Sequence, residues 1–151
     1  MDRKYILNMI EKYTYKDLNK PNLVGLITLK QLGKTKIKII NNDINKDYHN
    51  ISGYCLNKST IVLISKYIDN DEFLMMTCVH EINHLLNWDL GLSQYKKEFI
   101  AFVAEEMFMT NSIDLTVDTL NIIKKKLVEI YPELSMKKIK TETDYKKGII
   151  F

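Results

Sequence analysis

The chain is poor in residues that would mark it for several common tasks. Arg3 is the single arginine among 22 basic residues, so bidentate guanidinium clamps on phosphate, carboxylate or guanine are nearly out of reach. A formal net charge of +3 is too small and too dispersed to predict nucleic-acid binding. Lysine clusters such as Lys124-Lys125-Lys126 and Lys137-Lys138 read as solvated faces. The two cysteines, Cys55 and Cys78, do not make a disulfide framework and suit a reducing compartment. No apolar run is long enough to span a bilayer, so no membrane partner is expected. The stretch MDRKYILNMIEKY scatters charges among its apolar residues and reads as an amphipathic helix, not a secretory signal. A soluble, cytoplasmic protein is expected, and export by a route that leaves no cleavable signal stays compatible.

What is present suits one globular domain. The 151 residues are 46% hydrophobic and 27% charged, enough to bury a core. No repeat, low-complexity tract or linker divides them. Residues 2–19 read as a helix with Tyr5, Ile6, Met9, Ile10 and Tyr13 on its apolar stripe, ended by Pro21. Residues 23–32 are ambiguous between helix and strand, and Gly33-Lys34 breaks the pattern. Thr35–Ile40 alternates like a strand, and residues 41–50 read as a polar loop. Ile51–Leu56 and Thr60–Ser65 predict a hairpin. A helix follows from about 71 to 88, capped by Asp69, Asn70 or Asp71, and Gly91 suits a positive-φ turn. Ser93 opens another helix. Ser112 or Asn111 would cap a last one over about 113–131, stopped by Pro132, before a charged tail over 133–151. The expected class is α+β, a small sheet packed on a mainly helical domain. The single domain spans 1–151: N-terminal helix and first strands over 1–50, a metal-site core over 51–110, and a C-terminal helix and tail over 111–151.

One stretch carries a definite chemistry. Cys78-Val79-His80-Glu81-Ile82-Asn83-His84 contains His-Glu-x-x-His, which arises by chance in roughly one chain in a few hundred of this length. On a helix His80 and His84 stack on one face and can put two imidazole nitrogens on one ion. Glu81 projects from the next position round, within reach of a water on that ion. This is the pattern of a catalytic zinc site with Glu81 as general base. Cys78 lies on another side of the helix and reads as a small core residue.

A third ligand is needed. His49 lies upstream, and no histidine follows at the metzincin spacing. Three carboxylates on the next helix remain, Glu98, Glu105 and Glu106. Glu98 and Glu105 share a face with Ala101 and Phe102, where metal coordination would offset the cost of burying a carboxylate. Glu106 points elsewhere. Either Glu98 or Glu105 could complete the site.

The pairing of HEINHLL with EFIAFVAEEMFM resembles the ImmA/IrrE-type zinc peptidases, within the broader gluzincin class. The resemblance covers about residues 50–110. It sets Glu98 in the ligand position, Phe102 at the phenylalanine, Ala104 at a small position and Glu105 at the later acidic one. Phe99, Ile100 and Met109 depart from the pattern, and a thermolysin-like spacing would fall beside Glu105. The resemblance implies one catalytic Zn²⁺ held by His80, His84 and Glu98, a zincin-like α+β fold with a central His-Glu-x-x-His helix, and cleavage of a specific regulatory protein. An effector-type protease acting on a host protein, an idle zinc-fold module that binds a protein, and a non-peptidase zinc hydrolase are the alternatives. His49, Tyr54 and Tyr95 are the nominees for steadying the oxyanion. A strand edge near the metal could dock an extended substrate.

Overall fold

A computed structural model describes residues 1–41 and 51–131. Among them are five α-helices and one three-stranded sheet, an α+β arrangement. Residues 42–50 of the loop expected over 41–50, Pro132 and the tail over 133–151 lie outside the described residues.

Helix α1 (Arg3–Thr14) begins where the Asp2 side chain accepts from the Tyr5 amide. It stops well short of residue 19, because no apolar residue after Thr14 continues the buried stripe of Ile6 and Ile10. Tyr5 leaves that stripe, being 45% exposed, and its hydroxyl donates to Asp71. Residues Leu23–Leu32 form a helix, α2, which resolves their ambiguity. Asn22 caps it by accepting from the Gly25 amide. Gly25 is needed there, since a Cβ would stand 2.2 Å from the Thr14 hydroxyl on α1. The lone arginine is spent on this region: its guanidinium donates to the carbonyls of Leu32, the last residue of α2, and Thr35 just beyond it.

The strands are β1 (Lys36–Ile40), β2 (Gly53–Asn57) and β3 (Thr60–Ile64), in the order β1-β3-β2. β3 pairs parallel with β1 and antiparallel with β2, so the expected hairpin is present and its second strand is central. That position explains its composition. Ile61, Val62, Leu63 and Ile64 are all buried, as a central strand covered on its faces requires. Burial of each such side chain contributes about 1.5–3 kcal/mol. The register between β2 and β3 slips once, after Cys55, which faces Ile61.

Helix α3 (Asp71–Leu86) carries the His-Glu-x-x-His stretch. Its cap is Asn70, whose side chain accepts from the Phe73 amide, with Asp71 and Glu72 favourable in the first turn. α3 is buried on several sides, with Leu74, Cys78, Val79, Ile82 and Leu85 in the core. Gly91 takes φ 63 in the turn that follows. Ser93 caps α4 (Gln94–Thr110), whose Phe99, Ile100, Val103, Met107 and Phe108 join the same core. Asn111 does not cap the last helix. It closes α4 in a left-handed conformation at φ 51 and donates to the Lys20 carbonyl. Helix α5 (Val117–Ile130) starts later than expected, capped by Thr116 in place of Ser112, and its face of Leu120, Ile123 and Leu127 packs inward. No helix among the described residues is long and apolar enough to cross a membrane.

Candidate metal centre

The site lies where α3 crosses α4. His80 and His84, one turn apart on α3, bring their Nε2 atoms to 3.1 Å of each other. Glu98, in the second turn of α4, reaches both: Oε2 lies 3.1 Å from His80 Nε2 and Oε1 lies 3.1 Å from His84 Nε2. Ligand atoms of His80, Glu81 and His84 also lie within 4.8 Å of one another, so a His-Glu-His group could hold a metal ion. Nitrogens bonded to one tetrahedral ion at ~2.0–2.1 Å stand about 3.3 Å apart. The 3.1 Å spacing fits a shared ion.

Two carboxylates therefore compete for the third position. Glu98 has an oxygen against each imidazole, whereas Glu81, one residue past His80, turns toward β2. The contacts favour Glu98 beside the nitrogens and leave Glu81 free for other work. Glu105 stands on the opposite side of the ring. Its Oε2 is 2.8 Å from His80 Nδ1, and a carboxylate can only accept, so Nδ1 carries the proton. Glu105 thus fixes the tautomer that points Nε2 inward, the usual service of an outer carboxylate to a metal-binding histidine. Its position on Nδ1 does not suit the ligand role considered from spacing.

The charges are mutually arranged. Burial works against ionising His80, but the hydrogen bonds to Glu105 and Glu98 outweigh it and hold its pKa well above the ordinary histidine value. Burial pushes the Glu98 carboxyl up, yet the hydrogen bonds from His80 and His84 pull it down to about 2. Glu81 is different. Burial raises its pKa, and the neighbouring histidines offset that only in part. A buried carboxyl kept hungry for a proton is what a general base requires.

Other side chains close the site. Phe102 sets its ring edgewise against His80, centroids 4.9 Å apart. Gln94, one turn before Glu98, donates its amide to Glu98 Oε1 at 3.2 Å. The thiol of Cys55, on β2, lies 3.3 Å from the Glu81 carbonyl oxygen and 3.8 Å from Oε1. Neither was named as a site residue from the sequence: the (i, i+4) spacing to Glu98 could have found Gln94, whereas 26 residues separate Cys55 from Glu81. The oxyanion nominees fare poorly. Tyr95 is buried, stacked at 6.3 Å on Phe99. Tyr54 alternates with Cys55 along β2 and so turns to the other face of the sheet. His49 lies outside the described residues. Cys78 is buried in the core as expected, where burial pushes its thiol up to about 12.

Searches against protein-family models, curated proteins and solved structures find no match to this chain.

Proposed function

We propose that this chain is a zincin-like zinc metallopeptidase in which His80, His84 and Glu98 hold one catalytic Zn²⁺ and Glu81 is the general base. One observation carries the reading. Two Nε2 atoms and a carboxylate converge at 3.1 Å on one another beside a fourth, buried acid. A donor set of two imidazoles and a carboxylate suits zinc over calcium or magnesium, which prefer all-oxygen surroundings. When bound, the ion supplies a Lewis acid that acidifies water and polarises a carbonyl.

The rest of the chemistry belongs to the chain. Glu81 takes a proton from the attacking water onto its carboxylate and returns it to the leaving nitrogen. Its raised pKa suits both halves of that shuttle. Glu105 keeps the proton on His80 Nδ1, so Nε2 can serve as a ligand. The substrate is read as an extended segment of a protein. β2 pairs only with β3 among the described residues, and Cys55 on it touches Glu81. We read this strand beside the base as the one that takes the substrate by main-chain pairing. The gluzincin and ImmA/IrrE resemblance is consistent with Glu98 as ligand and Glu105 as its later acid.

The test is metal analysis followed by an unbiased search for cleaved proteins, wild type against Glu81→Gln. Zinc near one per chain, with cleavage present only in wild type, supports the reading. Zinc in both and cleavage in neither favours a protein-binding module. Cleavage retained by Glu81→Gln overturns the assigned base.

A further inference from the structure

Strand β2 is fastened to helix α3 more closely than packing alone requires. The Ser52 and Thr77 hydroxyls meet at 2.9 Å. At Gly53 an added Cβ would stand 2.8 Å from the Val62 carbonyl oxygen and 3.1 Å from Thr77 Cγ2, so only glycine permits the approach. Two residues on, the Cys55 thiol reaches the Glu81 carbonyl oxygen at 3.3 Å and the carboxylate Oε1 at 3.8 Å. The slip in register with β3 comes immediately afterwards, and such irregularities re-aim strand side chains beside active sites.

We infer that Cys55 is the positioning residue of Glu81. Its thiol donates across the main-chain and side-chain oxygens of that residue and holds the carboxylate at the edge of β2. The inference rests on the reading of Glu81 as the base, and adds that the strand beside the site also aims it. Burial and the Glu81 charge push the thiol pKa up, so the sulfur keeps its proton and acts as a donor. The same property leaves it a poor nucleophile and a poor metal ligand. An ordinary packed cysteine would owe nothing to the Glu81 carboxylate.

Two measurements on the full chain test this. The first needs no substrate: the infrared S–H stretch of Cys55, isolated as the difference between wild type and Cys55→Ser, compared with and without Glu81→Gln. A stretch that moves to higher frequency when the carboxylate is replaced supports the contact, and an unmoved stretch overturns it. The second follows hydrolysis of a mixture of quenched-fluorescent peptides by zinc-loaded protein. Cys55→Ala should lower kcat about tenfold, the scale of losing an outer hydrogen-bond partner, with KM and zinc content unchanged. Cys55→Ser, which keeps a donor, should recover most of the loss. Full activity in Cys55→Ala, or a Cys55→Ser as slow as Cys55→Ala, overturns the inference. A moving stretch in a wild type that cuts no peptide or protein sustains the positioning contact and overturns the peptidase reading alone.

Discussion

Two polar junctions among the described residues are built on opposite principles. Where α1, α2 and the end of α4 meet, Thr14 donates to the Ile10 carbonyl, Thr28 to the Val24 carbonyl and Asn22 to the Phe108 carbonyl. Every one of these neutral groups satisfies a backbone atom, and each answers a need of the fold. Where α3 crosses α4, two half-buried histidines meet the buried Glu81 and Glu98 and the half-buried Glu105, bonded chiefly to one another. A fold does not need three carboxylates there, because apolar residues of like volume would be as stable or more so. The first junction holds the chain together, and the second is held by it.

That contrast makes opposite demands on mutation. The largest expected effect is Glu81→Gln, which should lower cleavage at least about a thousandfold while zinc stays bound. Because burial raises the Glu81 pKa, its ionised form costs stability at neutral pH. The same change should therefore raise the melting temperature of the metal-free protein by a few degrees, at about 2–4 °C per kcal/mol. A drop in melting temperature would break the comparison.

Next come Glu98→Ala and Asn22→Ala, read side by side. Losing Glu98 should weaken zinc affinity at least about a hundredfold in a chelator competition. Losing Asn22 removes a helix cap and the shorter of the two hydrogen bonds to the Phe108 carbonyl, about 1–2 kcal/mol by denaturant melts, with zinc affinity unmoved in the folded protein. If the two phenotypes overlap, the junctions are not separate. Glu105→Ala should cost about 10–100-fold in zinc affinity as an outer partner. Glu105→Gln should cost less, because its amide oxygen still accepts from His80 Nδ1. A Glu105→Ala that binds no zinc, with Glu98→Ala binding normally, would reverse their roles.

The smallest effect is on pH. Glu98 falls from 4.5 to about 2 on folding, so its contribution is present above pH 4.5 and is lost as pH drops toward 2. His80 rises above 6.5, so its contribution is complete below pH 6.5 and is lost as pH climbs through its folded value. Metal-free protein should melt highest between these two values. Zinc affinity should fall on acidification through the same range, since the Nε2 proton must leave for the ion. Melting curves and zinc titrations at matched pH would show the opposed slopes.

Much of the candidate metal centre was readable from spacing, because a helix converts sequence separation into geometry. His80 and His84 are four apart, and Glu98 with Gln94 is another such pair on α4. The α3 and α4 helices and the β2–β3 hairpin were legible for the same local reason. The boundaries were less so. Asn111 and Thr116 are both good caps by type, and only the left-handed end of α4 decides that the first closes one helix and the second opens the next. Residues 23–32, apolar on all sides, have no period that tells a buried helix from a buried strand.

The sequence by itself determined that two imidazoles and an adjacent acid share one stretch of helix, and narrowed the third donor to Glu98 or Glu105. Only the tertiary structure gives those two different places. The crossing of α3 over α4 puts Glu98 against both Nε2 atoms and Glu105 against the Nδ1 of His80. Helical period places both glutamates on the same face, seven residues apart, and so cannot rank them. The rank comes from where along α4 the second helix crosses, which many distant apolar contacts set together. The same holds for Cys55, which reaches Glu81 because β2, with Gly53 close to both Val62 and Thr77, lies against the helix.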